Sequence, residues 1–147
     1  MKPTFFLRIA AVLTLIHAAL HTIGGVFGTP GPGPATVAVA AMKMNAFPVM
    51  GSTRTYWDFY RGLGLGIAIF LTVEAIVFWL LASLAKRDAR RLRPVLAVFL
   101  AGYIALAVNS FFYFFFPPVI VELVIAACLF LAIVTAKSQP AAYARAD

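Results

Sequence analysis

Long apolar stretches alternate with short polar connections along this chain. A helix rises ~1.5 Å per residue, so ~20 residues cross a hydrocarbon core of ~30 Å. Four stretches have about that length or more, at residues 4–25, 55–85, 95–116 and 119–136. The pattern predicts an all-α, polytopic membrane four-helix bundle. We expect a single transmembrane domain over residues 1–147, of which 137–147 form a cytoplasmic tail.

The composition supports the membrane class. The chain has 147 residues, of which 63% are hydrophobic and 12% are charged. Soluble domains carry about 25% charged residues, because they have polar faces to present to water. Four spans and their connections use up the chain, so there is no room for a soluble domain.

The cationic residues are distributed unevenly between the two sides of the predicted bundle. If the spans alternate, Lys43, Arg54 and Arg61 lie on one side and the other nine Lys and Arg residues on the opposite side. The positive-inside rule then places both termini in the cytoplasm. We expect the protein to be a multi-pass protein of the cell inner (plasma) membrane. The basic cluster at 86–93 suits anionic lipid headgroups. A nucleic-acid partner is disfavoured, because no aromatic or polar readout surface accompanies the charge.

The connections contain signals of their own. Alternating Gly and Pro at Gly28–Pro34 forbid a regular helix, and residues 35–45 are apolar but too short to span. We expect a short interfacial or re-entrant helix there, ending before Pro48. Pro94 is placed to start the third long helix, and Pro117-Pro118 to form the turn between the third and fourth.

Four polar residues lie inside the apolar stretches at a similar depth. Measured from the cytoplasmic boundary at ~1.5 Å per residue, His21 lies at ~20 Å, Glu74 at ~18 Å, Asn109 at ~22 Å and Glu122 at ~21 Å. Polar groups are costly in hydrocarbon unless they are paired or hydrated. We therefore expect these four side chains to face the interior of the bundle as one polar layer.

Helical spacing suggests a pocket above this layer. Tyr56 and Tyr60 share a face with Glu74, and Tyr113 shares a face with Asn109. Their hydroxyls would line an approach from the outer side, within a chain that contains 14 Phe residues. Pockets for small molecules combine an apolar lining with a few converging polar groups. Glu74, Glu122 and His21 would be its acid–base groups.

Residues 54–66 form the densest run of distinctive side chains. Asp58 is placed to pair with both Arg54 and Arg61, and Gly62-x-x-x-Gly66 would let another helix approach closely. An interfacial aromatic and charged belt explains this run. The alternative is a ligand-binding gate or headgroup clamp at the mouth of the pocket.

The run Tyr56-Trp57-Asp58-Phe59-Tyr60-x-Gly-x-Gly resembles a segment that opens the second helix in a group of small, uncharacterised four-helix bacterial membrane proteins. The overall plan also resembles, by architecture and residue types, the emopamil-binding or sterol-isomerase class. That resemblance implies carboxylates and a histidine that face an intramembrane ligand cavity.

Four functions fit the polar layer. It can be a structural network, a pocket for a hydrophobic small molecule or lipid with or without isomerase-like chemistry, a metal site, or a path for ions. His17 and His21 are spaced as two metal ligands, but His17 lies a full turn below the layer, so we expect no metal and no other cofactor. An ion path through four helices would require a homo-oligomer.

Overall fold

The computed structural model of the protein describes residues 2–136, so the predicted tail at 137–147 lies outside the described residues. The described part is mostly helical, as the apolar pattern predicts. Its α-helices are α1 (Pro3–Leu20), α2 (Pro34–Met44), α3 (Tyr56–Asp88), α4 (Arg93–Tyr113) and α5 (Phe116–Thr135). Two further elements are a π-helical segment, His21–Val26, and a 3₁₀ turn, Arg90–Leu92.

Four helical stretches are long and apolar enough to cross a membrane: Pro3–Val26, Tyr56–Asp88, Arg90–Tyr113 and Phe116–Thr135. They correspond to the four predicted spans. Much of their surface is apolar, and Phe70 and Val98 are each 73% exposed. Water disfavours large contiguous apolar patches, whereas hydrocarbon does not, so these surfaces suit a lipid environment.

Prolines mark the first turns of α2, α4 and α5. The first N–H groups of a helix have no intrahelical partner, so proline loses nothing there. This confirms the role expected for Pro94. The turn predicted at Pro117-Pro118 is wrong: α4 ends earlier, at Tyr113, and both prolines belong to the first turn of α5.

The chain separates into two compact units. One, the core unit, contains the described residues up to His17 and from Thr72 to Ala136. The other, the hairpin unit, contains Ala18–Leu71.

The core unit has one apolar core. Leu7 of α1, Phe78 of α3, Tyr103 of α4 and Leu129 of α5 are all fully buried members of it. Helices α4 and α5 pack directly on each other, and Arg93 Nε donates to the carbonyl of Ile133 at 3.1 Å. The start of α4 therefore lies beside the end of α5, which makes the pair antiparallel.

The hairpin unit contains a β-hairpin that the apolar pattern does not predict. Strands β1 (Ala46–Val49) and β2 (Ser52–Thr55) pair antiparallel across a turn at Met50-Gly51. Both turn residues have positive φ, which is unusual for methionine and gives no sequence signal of the Asn-Gly kind. The aromatic ring of Phe47 packs against Tyr56 and Phe59 on α3, at centroid distances of 4.8 and 6.0 Å. This docking supports a two-stranded hairpin that would be marginal alone.

Helix α1 continues into the π-helical segment, where Phe27 N–H donates to the carbonyl of Thr22. Such wide turns are rare and often occur at functional positions. The short helix predicted in the first connection is confirmed as α2.

Candidate functional site

Tyr103 is the centre of a hydrogen-bonded chain in the core unit. Its side chain is 1% exposed, and its hydroxyl donates to Glu74 Oε2 at 2.9 Å. The hydroxyl of Thr14 lies 3.2 Å from the same phenol oxygen. A phenol has one proton, which goes to Glu74, so Thr14 is the donor to Tyr103. These two hydrogen bonds join Thr14 of α1, Tyr103 of α4 and Glu74 of α3.

Glu122 has a different environment. It is 4% exposed, and its Oε1 accepts a hydrogen bond from Ser110 at 3.0 Å. Its second oxygen, Oε2, is buried and has no hydrogen-bond partner among the described residues. Glu122 is also close enough to Tyr103 for the two side chains to interact electrostatically. The two carboxyl groups therefore belong to one polar region, in which Oε2 of Glu122 is a buried carboxyl oxygen without a partner among the described residues.

The predicted polar layer is only partly right. Glu122 is buried and Glu74 is half-buried, but Asn109 is exposed, as is Tyr113 at 78%. The buried positions of α4 are Leu96, Tyr103, Ala107 and Ser110. These share one face at intervals of seven, four and three residues, so Asn109 necessarily points elsewhere.

The glutamates also have partners that differ from those expected. No hydrogen bond in the described part of the chain joins two members of the predicted layer; each carboxyl bonds a hydroxyl of α4 instead. The seven-residue spacing of Tyr103 and Ser110 is the sequence signal that could have identified them. Thr14 offers no comparable signal, because an isolated threonine costs little in a membrane helix.

His21 belongs to the hairpin unit, where its Nε2–H donates to the backbone carbonyl of Gly64 at 3.0 Å. In return, the hydroxyl of Tyr60 donates to the carbonyl of Gly25 at 2.9 Å. These two bonds form a reciprocal pair. The π-helical segment supplies the side chain of His21 and, four residues later, the carbonyl of Gly25, and α3 supplies the side chain of Tyr60 and, four residues later, the carbonyl of Gly64. Glycine makes the approach possible, because a Cβ on Gly64 would lie 2.9 Å from a methyl group of Val26.

The structure corrects the expected role of the Gly62-x-x-x-Gly66 motif. A Cβ on Gly62 or on Gly66 would have no described atom within 4 Å. The intervening Gly64 is the position of close approach. The motif therefore predicts the correct turn of α3, but the glycine of close approach lies on a different face of the helix from Gly62 and Gly66.

The tyrosines expected to line an approach to Glu74 have other contacts. Tyr60 is used in the reciprocal pair, and Tyr56 packs on Phe47 of the hairpin. Trp57 stacks on Tyr60 with 5.2 Å between ring centroids.

Asp58 caps α3 and does not form the expected ion pairs. Its Oδ2 accepts from the backbone N–H and the hydroxyl of Thr55, at 2.8 and 2.9 Å, and the Thr55 hydroxyl accepts from Asp58 N–H. This is a capping box with aspartate in the third position. An ion pair is instead formed between Arg91 and Asp88.

The two arginines near Asp58 have separate contacts. Arg54 donates to the neighbouring carbonyl of Thr53, and the Arg61 guanidinium lies over the Phe27 ring at 4.9 Å. Arg61 Nε is buried without a hydrogen-bond partner in the described chain.

Within residues 2–136, no group of three or more His, Cys, Asp or Glu side chains is arranged to hold a metal ion. His17 lies in the core unit and His21 in the hairpin unit.

Four helical stretches of the described chain therefore have the length and apolar composition needed to cross a membrane. Comparison with protein-family models, curated proteins and solved structures found no match.

Proposed function

We propose that this chain is a multi-pass protein of the bacterial inner membrane whose core unit binds the polar end of a hydrophobic small molecule or lipid. The observation that supports this most directly is the buried Oε2 of Glu122, which has no partner among the described residues. The other oxygen of the same carboxyl is held by Ser110, so the side chain is oriented and one oxygen remains available.

The energetic argument concerns the unpaired oxygen. A buried polar atom without a hydrogen bond costs about 1–3 kcal/mol, and more when it is charged. A ligand with a hydroxyl group would remove that cost by donating to Oε2. Its remaining atoms would suit the buried apolar side chains one turn further along α5, Ile125 and Ala126. An isoprenoid-like alcohol has this combination.

The same groups support acid–base chemistry on such a ligand. A glutamic acid side chain can give or take a proton without a cofactor. Glu122 would be the group that contacts the ligand, while Glu74 is the second carboxyl of the same polar region. Protonation of a carbon–carbon double bond at one carbon, followed by loss of a proton from another carbon, moves the double bond. We propose this isomerisation as the reaction class of the site.

The chain Thr14–Tyr103–Glu74 favours a second role, which is structural. Each of its hydroxyl groups has a partner, and three helices are joined. Hydrogen bonds of this type stabilise helix packing in membranes. We therefore assign ligand contact to Glu122 and packing to Tyr103.

Glu122→Gln tests this assignment, because glutamine keeps the size of the side chain and can still bond Ser110. Extraction in mild detergent followed by native mass spectrometry should detect a small lipophilic molecule on the wild-type protein. We expect Glu122→Gln to reduce its retention about tenfold, the loss of one hydrogen bond to a charged group. Glu74→Gln is the matched control and should retain the molecule.

Two results would contradict the proposal. One is retention that is equal in Glu122→Gln and wild type. The other is a wild-type protein without any bound molecule whose stability falls on Glu122→Gln as much as on Tyr103→Phe. The second result would make both carboxyl groups structural.

The orientation in the membrane is part of the proposal. Nine of the twelve Lys and Arg residues fall on one side of the four spans, which places both termini in the cytoplasm and α2 with the hairpin outside. Reporter fusions at Asp147 and within Gly28–Pro34 should show opposite sidedness. The same sidedness at both positions would contradict four spans.

A further inference from the structure

The hairpin unit contains an open groove of about 340 Å³. It is lined by Gly24 and Gly25 of the π-helical segment, by Gly28 just after it, by small residues of α2 such as Ala38, and by Trp57 and Tyr60 of α3. This volume is at the lower end of the ~300–1,000 Å³ that small-molecule sites occupy. The lining is mostly apolar, with aromatic rings provided by α3.

Two cationic residues adjoin lining residues of this groove, Lys43 by a contact and Arg61 in the sequence. The ammonium group of Lys43 is 4.7 Å from the centroid of the Trp57 ring, which is part of the lining. Arg61 follows Tyr60 of the lining and covers Phe27, the residue before Gly28. Its Nε is buried and, in the described residues, has no hydrogen-bond partner.

Cations outnumber carboxylates in the hairpin unit. Residues 18–71 contain Lys43, Arg54 and Arg61 but only one acidic residue, Asp58. The Asp58 carboxylate bonds Thr55 and interacts electrostatically with Arg54, and it forms no ion pair with Lys43 or Arg61 among the described contacts. The surroundings of the groove are therefore positive, which favours an anionic group.

We infer that this groove binds an anionic lipid, with the phosphate of its headgroup beside Lys43 and Arg61 and the first part of an apolar chain against the glycines, Ala38 and the rings. A free phosphate ion would satisfy the cations but would leave the apolar lining unused. The site is separate from Glu122 and does not depend on the function proposed for it.

Trp57 provides a direct measurement, because it lines the groove and only one other tryptophan, Trp79, is present. The full chain carrying Trp79→Phe is reconstituted in phosphatidylcholine vesicles that contain a minor brominated lipid. Bromine quenches tryptophan fluorescence at short range. Brominated phosphatidylglycerol should quench Trp57 more strongly than the same fraction of brominated phosphatidylcholine.

Substitution of single cationic residues shows where phosphatidylglycerol binds. Lys43→Gln and Arg61→Gln should each weaken the association of phosphatidylglycerol about fivefold, the usual contribution of one cation near anionic lipid. Arg54→Gln is the matched control, because Arg54 is exposed and bonds only its neighbour's carbonyl among the described contacts. A loss with Arg54→Gln equal to that with Lys43→Gln would show a diffuse surface effect and overturn the site.

Two further measurements test where the lipid binds and whether a free phosphate ion can replace it. Ala38→Phe fills the groove without changing charge, and it should reduce quenching; unchanged quenching would place the lipid elsewhere. Millimolar inorganic phosphate should leave the quenching unaltered. If phosphate reverses it, the site takes the free ion and the lipid assignment is wrong, as it also is if the two brominated lipids quench equally.

Discussion

The core unit and the hairpin unit differ in how their helices make polar contacts. In the core unit the carboxyl groups of Glu74 and Glu122 bond side-chain hydroxyls, those of Tyr103 and Ser110, whereas Arg93 at the start of α4 bonds the carbonyl of Ile133. In the hairpin unit a side chain bonds a backbone carbonyl, as in His21–Gly64 and Tyr60–Gly25.

Residue size explains the difference. The carbonyls of Gly25 and Gly64 can be reached because neither residue has a Cβ, and small residues let membrane helices approach closely. In the core unit, side chains such as Phe78 and Leu129 fill the space between helices. The two glutamates there bond the hydroxyl groups of other side chains. The contacts of the hairpin unit should therefore be sensitive to added volume, and those of the core unit to removed hydroxyls.

The largest expected effect is that of Gly64→Leu. The first added carbon would lie 2.9 Å from a methyl group of Val26, which is itself 2% exposed and has no room to move. Overpacking of this kind costs about 1–3 kcal/mol, and the His21 bond would be lost with it. Unfolding measured in mixed micelles should show the loss.

Gly66→Leu is the control for that substitution, because a Cβ at Gly66 meets no described atom within 4 Å. It should be neutral or stabilise α3 by up to ~1 kcal/mol, since glycine is a poor helix former. If Gly64→Leu and Gly66→Leu lower the stability equally, the volume of the side chain at Gly64 does not limit how closely the helices approach.

A smaller effect is expected for Tyr103→Phe. The change deletes one hydroxyl, and with it the bonds to both Thr14 and Glu74, while keeping the ring in the core. Hydrogen bonds between membrane helices average ~0.6 kcal/mol and reach ~1.7 kcal/mol, so a loss of about 1–2 kcal/mol is expected in the same unfolding assay.

Tyr113→Phe removes a hydroxyl from the same helix at an exposed position and should change stability little. A loss as large as that of Tyr103→Phe would contradict the assignment of the packing role to the buried chain.

The smallest effect is expected for Tyr60→Phe, which removes one bond, to the carbonyl of Gly25. A loss of about 0.6 kcal/mol follows from the average value for such bonds. Tyr56→Phe should have no effect, because the contact of Tyr56 with Phe47 is between rings. If the two variants lose stability equally, the reciprocal pair contributes nothing measurable.

The sequence by itself determined the elements that depend on local properties. The long helices and the short α2 follow from the length of apolar runs, and the starts of α2 and α4 follow from proline, whose missing N–H is tolerated only in the first turn. The burial of Glu122 was also predictable, because a carboxyl among apolar residues has to avoid hydrocarbon.

Tertiary structure alone decided which groups meet. Asn109 and Ser110 are adjacent in sequence, yet only Ser110 reaches Glu122, because the rotation of α4 about its axis turns the face of Tyr103 and Ala107 inward. Likewise Gly64, and not Gly62 or Gly66, receives the neighbouring helix. Packing against other helices sets the rotation and translation of a helix. The sequence of one helix contains no local signal for that packing. The unpaired oxygen of Glu122, on which the proposed function depends, is a result of that packing.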